Sequence, residues 1–524
     1  MTLPPAPGRQ AAAVRTKLYR RAVSSPAPAV HAGMPVRPAL AGVAVWSAVA
    51  LIGVVLTALS PRYGYHRDEL YFRMLKPAWN YVDQPPFTPW VARLTSHLIA
   101  DEVWAIRIRA TLCLMGSVLV IAIVTSELGG GVAAQTISAW GYAFGALPLT
   151  MGHVLLTASI DLVVWPLTTL FVIRALLRDQ PRWWLAAGAL IGLSTYNKLL
   201  IAYLIAALLI GILAVGSRRV FRSRYLWAGV VLAVLIAMPN LIYQATHDWP
   251  QLEMGAALSD NNAGDVRVMA VPFLALLLGP PLVPIWVAGV VALLRRPAWK
   301  PVRSLTIALP VLVVFTVIGG AQVYYPLGLL AVIYAIGAVP TADWMARNLR
   351  PRRILLAIAL AANSIVCAVI SLPLLPVGVV GSTPIPGINQ TVRDQIGWPT
   401  YVDQIRRVVD TLTPADRAGA VIIASNYGQA GALDRYGPAS ALPPILSGHT
   451  GLAAQSMAPD TVTAAVVIGG QVRLAGRLFE SCQTVGVLDN ELGVDNQEQD
   501  EPIAVCRNAI GGFPAVWPQF VHLD

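Results

Sequence analysis

The segment YHRDELYFRMLKPAWNYVDQPPFTPWVARL, residues 65–94, gathers His66, Asp68, Glu69, Asp83, Gln84 and Arg93 among tyrosines and tryptophans. Further along stand His153, Asp161 inside an apolar run, Lys198 after a Gly-rich stretch, and the pair Tyr324 and Tyr325. Carboxylates of this kind take a proton from an attacking hydroxyl. Cations and hydrogen-bond donors hold the charge that develops on a leaving group such as phosphate. Aromatic faces pack on a sugar, and an apolar groove accepts a lipid chain. Together they are the groups required to move a sugar from a lipid phosphate to a hydroxyl.

The elements that carry these residues are membrane spans and the loops between them. Of the 524 residues 56% are apolar and only 12% charged, with a mean hydropathy of +0.61. A soluble domain carries about 25% charged residues, so lipid solvates much of this chain. Long apolar runs cover Pro38–Ser60, Val103–Ser126, Val154–Ile173, Trp227–Tyr243, Val268–Leu294 and Ile354–Leu375. Shorter ones cover Gly130–Leu149, Trp184–Tyr196, Leu199–Val215, Leu305–Gly319 and Leu327–Val339. The total is about eleven spans of roughly the length a bilayer needs. Three regions follow. Residues 1–37 form a disordered, Ala/Pro/Arg-rich cytoplasmic arm; 38–375 form a polytopic helical domain; and 376–524 form a small extracytoplasmic α/β domain.

The arginines orient the spans. Basic clusters fall in the arm and in every second loop, at Arg174–Arg182, Arg218–Arg224, Arg295–Arg303 and Arg347–Arg353. Basic loops stay cytoplasmic, which accounts for most of the +11 net charge without a nucleic-acid partner. The first outer loop, 61–102, then lies outside a cytoplasmic membrane, with short amphipathic helices expected in the interface. Lys198, Tyr324, Tyr325 and a polar loop at His247–Arg267 share that side. Asp161 sits within a span, where a carboxylate is costly and faces a cavity or a partner.

Two classes of function use such a set. One is a membrane glycosyltransferase with Asp68 as base and Lys198 and Arg93 at the donor phosphate. The other is an ion-coupled transporter or lipid-linked-sugar flippase. Transporter sites lie near the midplane on broken helices, whereas these groups crowd one surface beside a long loop, which favours the enzyme. A catalytically retired scaffold that binds lipid-linked sugars is a third reading.

The segments YHRDELYF and YVDQPPFTPWVARL resemble the first outer loop of the GT-C glycosyltransferases, nearest the protein O-mannosyltransferase and aminoarabinose (lipid A) transferase group. Asp161, the spacing from Gly192 to Lys198, VYYPLGLL and the tail segments SNYGQAGALDRYGP and GVDNQEQDEPIAVCRN extend the resemblance along nearly all of the chain after the arm. The resemblance implies an inverting enzyme using a polyprenyl-phosphate sugar. Asp68 would be its acidic residue with Glu69 beside it, Asp161 a second essential acid, and Lys198 the cation near the donor phosphate. Where the aminoarabinose branch has Glu-Lys-Pro-Pro, this chain has Asp83-Gln84-Pro85-Pro86, and Gln84 supplies no cation. The sugar and the acceptor, whether glycan, lipid or protein, stay open.

His66 and His153 read as interfacial hydrogen-bonding groups at the substrate, since two lone histidines make a poor metal site. No cofactor is implied; a divalent cation is left open. Arg107 and Arg109 either snorkel to headgroups or touch a phosphate. In the tail, Ala420–Ala424 and Ala464–Ile468 read as strands, the first running through Ser425–Gly428 into a helix. Cys482 and Cys506, the cysteines outside the spans, are expected to form a disulfide in the oxidising exterior.

Overall fold

The structure, a computed structural model, describes residues 34–438, 442–456, 459 and 461–523. Most of the expected N-terminal arm lies outside the described residues. Its last four residues are tied down: Arg37 pairs with Glu127 at 3.3 Å, and Arg178 Nη1 donates to the Pro35 carbonyl at 2.6 Å. Glu127, which is buried, also takes Arg174 at 2.7 Å and Arg178 at 3.0 Å, so several of the expected basic loop residues cluster at one end of the helical layer.

That layer begins with α1 (Gly42–Leu59), and the first loop holds α2 (Arg67–Met74) and α3 (Phe87–Leu98). There follow α4 (Val103–Glu127), α5 (Val132–Ala143), α6 (Ala146–His153), α7 (Thr157–Leu177), α8 (Trp183–Ser194), α9 (Ile201–Val215) and α10 (Arg224–Thr246). The chain continues through α11 (Pro250–Met269), α12 (Phe273–Leu278), α13 (Val283–Arg295), α14 (Leu305–Gly319), α15 (Leu327–Ala346) and α16 (Leu349–Ser371). Seven helical stretches among the described residues are long and apolar enough to cross a bilayer. They are α1, α4, α7, α10, α15, most of α16, and α14 extended back to Pro297. The chain is a multi-pass membrane protein.

Three expectations change. The run Gly130–Leu149 is broken between α5 and α6 rather than forming one span. The run Val268–Leu294 is also broken: Gly279 takes φ +110° and Pro280-Pro281 follow, a sequence that cannot continue a helix. Asn363 Nδ2 caps the interrupted end by donating to the Leu278 carbonyl at 3.0 Å. The supposed polar loop His247–Arg267 is mostly the 20-residue α11, with Pro250 at its first turn where a missing N–H costs nothing.

Close helix contact sets the shape of the layer. A Cβ at Gly188 would lie 2.0 Å from the Gly229 carbonyl oxygen, so α8 and α10 cross backbone to backbone as small residues permit in lipid. In the first loop, α3 leaves Trp90, Leu94 and Leu98 exposed, as an interfacial helix would. Helix α2 does not: Leu70, Tyr71 and Phe72 are buried.

What buries them is the tail. It holds a five-stranded sheet in the order β2-β1-β3-β5-β4, with β1 (Ala420–Ala424), β2 (Ile445–Leu446), β3 (Ala464–Ile468), β4 (Phe479–Val487) and β5 (Pro502–Ala509). Strand β1 runs parallel to β2 and β3, while β5 is antiparallel to β3 and β4. The two strands expected from the sequence are β1 and β3, both wholly buried. Helix α17 (Trp398–Asp410) and α18 (Tyr427–Tyr436) cover the sheet, and α18 docks on α2. A Cβ at Gly431 would meet the Leu70 backbone at 2.8 Å, so only glycine allows this approach. Arg73 clamps the junction, reaching Asp101 at 2.6 Å and Asp434 at 2.5 Å.

Cys482 and Cys506 face each other in the β4–β5 register and are bonded. The bond closes a sequence separation of 24, for which chain entropy gives a stabilisation of about 3 kcal/mol. Alkylation of unreduced, unfolded protein is expected to label only Cys113 and Cys367; labelling of all four cysteines would remove the bond.

Candidate active site

A cavity of about 1060 Å³ runs between α8, α9 and α10 and ends beneath the first loop. Trp227 and Leu241 both line it; fourteen residues of α10 separate them, a depth of about 21 Å at helical rise. Its long wall is apolar, with Ile191, Leu208, Ile212, Phe221 and Val234. Its polar end is made by Asp68, Asp83, Gln84, Asn197, Lys198 and the Tyr324–Tyr325 pair.

Helix α2 aims Asp68 there. His66 is its N-cap, accepting from the Asp68 N–H at 3.1 Å, while Glu69 accepts from the His66 N–H at 2.9 Å. This reciprocal cap fixes the first turn. Asp68 is half-buried, and its Oδ1 accepts from the Tyr427 hydroxyl at 2.8 Å. One helical step rotates Glu69 about 100° away. It lies fully buried against Arg107 (2.9 Å) and accepts from the Leu155 N–H at 2.9 Å. The expected catalytic role of Glu69 is therefore corrected: its oxygens are taken by structural donors and it does not line the cavity.

Arg107 is neither a headgroup nor a phosphate ligand. It is fully buried and donates to the carbonyls of Ser60 (2.8 Å) and Gly64 (2.6 Å) and to Gln395 Oε1 (3.1 Å). Its Nη1 stands 3.3 Å from His153 Nε2, which places buried His153 behind the site rather than at the substrate. His66 is likewise a buried capping group. Arg93 is half-buried and turned to the carbonyls of Arg73 and Leu75 at 3.4 Å, where a cation suits the C-terminal end of α2.

Asp83 does line the cavity. Its Oδ1 accepts from the Tyr71 hydroxyl at 2.9 Å, and burial pushes its carboxyl up to about 6. Gln84 lines it too, and its buried Nε2 has no partner. Lys198 stands over the rings of Tyr325 (5.1 Å) and Tyr324 (5.7 Å), a cation held on aromatic faces. Asp161 is one step removed. It accepts from Asn197 Nδ2 at 3.2 Å, and Asn197 also takes the Thr88 hydroxyl at 2.7 Å. Asp161 thus braces the turn that carries Lys198 and lies close enough to act on that lysine's charge, although it does not itself line the cavity. Among the described residues no group of three or more His, Cys, Asp or Glu is arranged to hold a metal ion.

Sequence reading missed Asn197, Tyr427 and Thr450. Tyr427 opens α18 directly after β1, at the strand–turn–helix segment already singled out in the tail.

Residues 83–243 match the model of the dolichyl-phosphate-mannose-protein mannosyltransferase family. No curated protein matches the chain significantly. The fold is similar to that of ArnT from Cupriavidus metallidurans bound to undecaprenyl phosphate: TM-score 0.59 and 14% identity over 89% of this chain and 98% of that one. ArnT in the apo state gives 0.57 and 13% over the same shares. The arabinofuranosyltransferase AftD from Mycobacteria gives 0.49 and 15%, over 89% of this chain and 40% of that one. The architecture is that of a multi-pass membrane protein with a deep, mostly apolar cavity that is polar at one end. At 13–14% identity the likeness to the two ArnT structures is one of fold.

Proposed function

We propose that the protein is an inverting glycosyltransferase that moves a sugar from a polyprenyl phosphate to an acceptor hydroxyl at the outer face of a cytoplasmic membrane. The observation that carries this reading is one cavity lined by Asp68 and Lys198 at its polar end and by apolar helix faces along its depth. The isoprenyl chain lies along α8, α9 and α10, as the likeness to ArnT bound to undecaprenyl phosphate supports. Lys198, steadied by Tyr324 and Tyr325, meets the phosphate, and the unpartnered amide of Gln84 offers it a second donor. Asp68 accepts the proton of the attacking hydroxyl. The new bond joins the acceptor oxygen to the anomeric carbon, and the bond from that carbon to phosphate breaks. The electron pair leaves with polyprenyl phosphate, whose charge Lys198 offsets.

The outer location rests on the basic loops, since Asp68 and the cluster of Arg37, Arg174 and Arg178 belong to opposite ends of the spans. The tail after α16 then lies outside, where its disulfide persists.

Transfer from a panel of radiolabelled polyprenyl-phosphate sugars, with purified protein and membrane extract as acceptor, tests the proposal. Label appearing in the acceptor supports it. Label that only crosses vesicles, unchanged in chemical form, would move the assignment to a flippase. Lys198→Met is expected to lower kcat/KM by about 10- to 100-fold, the worth of a hydrogen bond to a charged group. It should weaken polyprenyl-phosphate binding in parallel. Equal binding by wild type and variant would remove Lys198 from the donor site.

A further inference from the structure

The base of the proposed transfer is held by a residue from the far end of the chain. Asp68 and Tyr427 are 359 positions apart, yet the Tyr427 hydroxyl donates to Asp68 Oδ1 at 2.8 Å. Both residues line the cavity. Resting on the reading of Asp68 as base, we propose that Tyr427 is a positioning residue, which fixes one carboxylate oxygen of Asp68 so that Oδ2 faces the acceptor hydroxyl.

The placement of Tyr427 is over-determined. Asn426 caps α18 by accepting from the Gln429 N–H at 3.0 Å, and the Asn426 amide is held by buried Glu498 at 2.9 Å. The Tyr427 N–H donates to His449 Nδ1 at 3.1 Å. Its ring is stacked between Tyr71, 4.7 Å away, and His449, 4.9 Å away. Arg67 lies over the same ring at 4.7 Å and is itself bound to Gln497. The contacts of Arg67 and Tyr71 tie α2 of the first loop to the tail, and the others fix Tyr427 within the tail. Tyr71 repeats the device one residue pair away. Its hydroxyl donates to Asp83, and it accepts from the Gly451 N–H at 3.0 Å. Two stacked tyrosines thus orient two carboxylates at the mouth of one cavity.

Burial pushes the Tyr427 hydroxyl well above its ordinary range, so it stays a donor at every working pH. As a donor it fixes Asp68 Oδ1 and leaves Oδ2 for the acceptor hydroxyl. The charged and titratable groups facing this pair are Arg67 on α2, Asp83 on the loop before α3, and His449, Asp394 and Glu498 from the tail. None of them changes in a tyrosine-to-phenylalanine exchange, which also keeps the ring stack.

The test uses full-length protein in lipid nanodiscs. Tyr427→Phe is expected to lower kcat by about 10-fold, the scale of a lost charge-assisted hydrogen bond. Donor KM and thermal stability should stay near wild type. The second readout is the double variant Tyr427→Phe/Asp68→Asn, whose kcat should equal that of Asp68→Asn alone, because Tyr427 acts through Asp68. A further loss in the double variant, or a Tyr427→Phe kcat like wild type where Asp68→Asn is inactive, would overturn the role of Tyr427 while leaving Asp68 as base. A parallel loss of stability and donor binding in Tyr427→Phe would make Tyr427 purely structural and equally overturn it. Full activity of Asp68→Asn would remove the reading beneath it, and the inference with it.

Discussion

Asp68→Asn is expected to lower sugar transfer by about 10²- to 10⁴-fold, the usual contribution of a positioned general base. The change is close to isosteric. Asn Oδ1 still accepts from the Tyr427 hydroxyl, and the N–H of residue 68 still reaches His66 Nδ1, so α2 and its contact with α18 persist. Thermal stability and binding of polyprenyl phosphate should match wild type, which separates a missing base from a misfolded protein. The measurement is initial rate against donor concentration with a fixed acceptor, and the loss should fall on kcat rather than KM. Transfer within a few-fold of wild type would sink Asp68 as base. Weight would then pass to Asp83, the other carboxylate lining the cavity.

Glu69→Gln carries the largest expected effect on stability. Glu69 and Arg107 form a pair with no solvent exposure, and Arg107 also fixes the Ser60 and Gly64 carbonyls and Gln395 of the tail. Removing one charge of a buried pair costs about 3–5 kcal/mol, because the remaining ion stays desolvated without its partner. A lower apparent Tm and early detachment of the first loop, read by limited proteolysis, are the expected results. The double variant Glu69→Gln/Arg107→Met should recover much of the stability, since it leaves no buried cation. If Glu69→Gln instead kept its Tm and lost only transfer, Glu69 would regain the catalytic role that its neighbourhood with Asp68 implied.

Neighbouring residues with opposite fates mark where local sequence stops informing. Asp68 and Glu69 are chemically alike and adjacent; a rotation of about 100° sends one to the cavity and the other into the protein. Arg93 and Arg107 read as cations available for phosphate, yet one is turned to the carbonyls at the end of α2 and the other binds buried Glu69. Helix α11 replaced an expected polar loop because its many Asn and Asp residues hide a helix started by Pro250 and faced towards the cavity by Leu252, Met254 and Leu258.

What the sequence determined by itself is what depends on local pattern. Apolar runs near bilayer length announced the membrane spans, because lipid demands that composition over consecutive residues. Dense β-branched runs announced β1 and β3, and the position of the cysteines outside the spans announced their pairing. The polar ends of several spans also announced Asp68, Asp83, Gln84, Lys198, Tyr324 and Tyr325, all of which line one cavity. The tertiary structure alone decided that Tyr427 holds Asp68, that Tyr71 links Asp83 to Gly451, and that Asp161 accepts from Asn197. Those links join residues up to 380 positions apart. No local periodicity encodes such pairs; that of Tyr427 with Asp68 needs Gly431, which lets α18 lie directly against the backbone of α2.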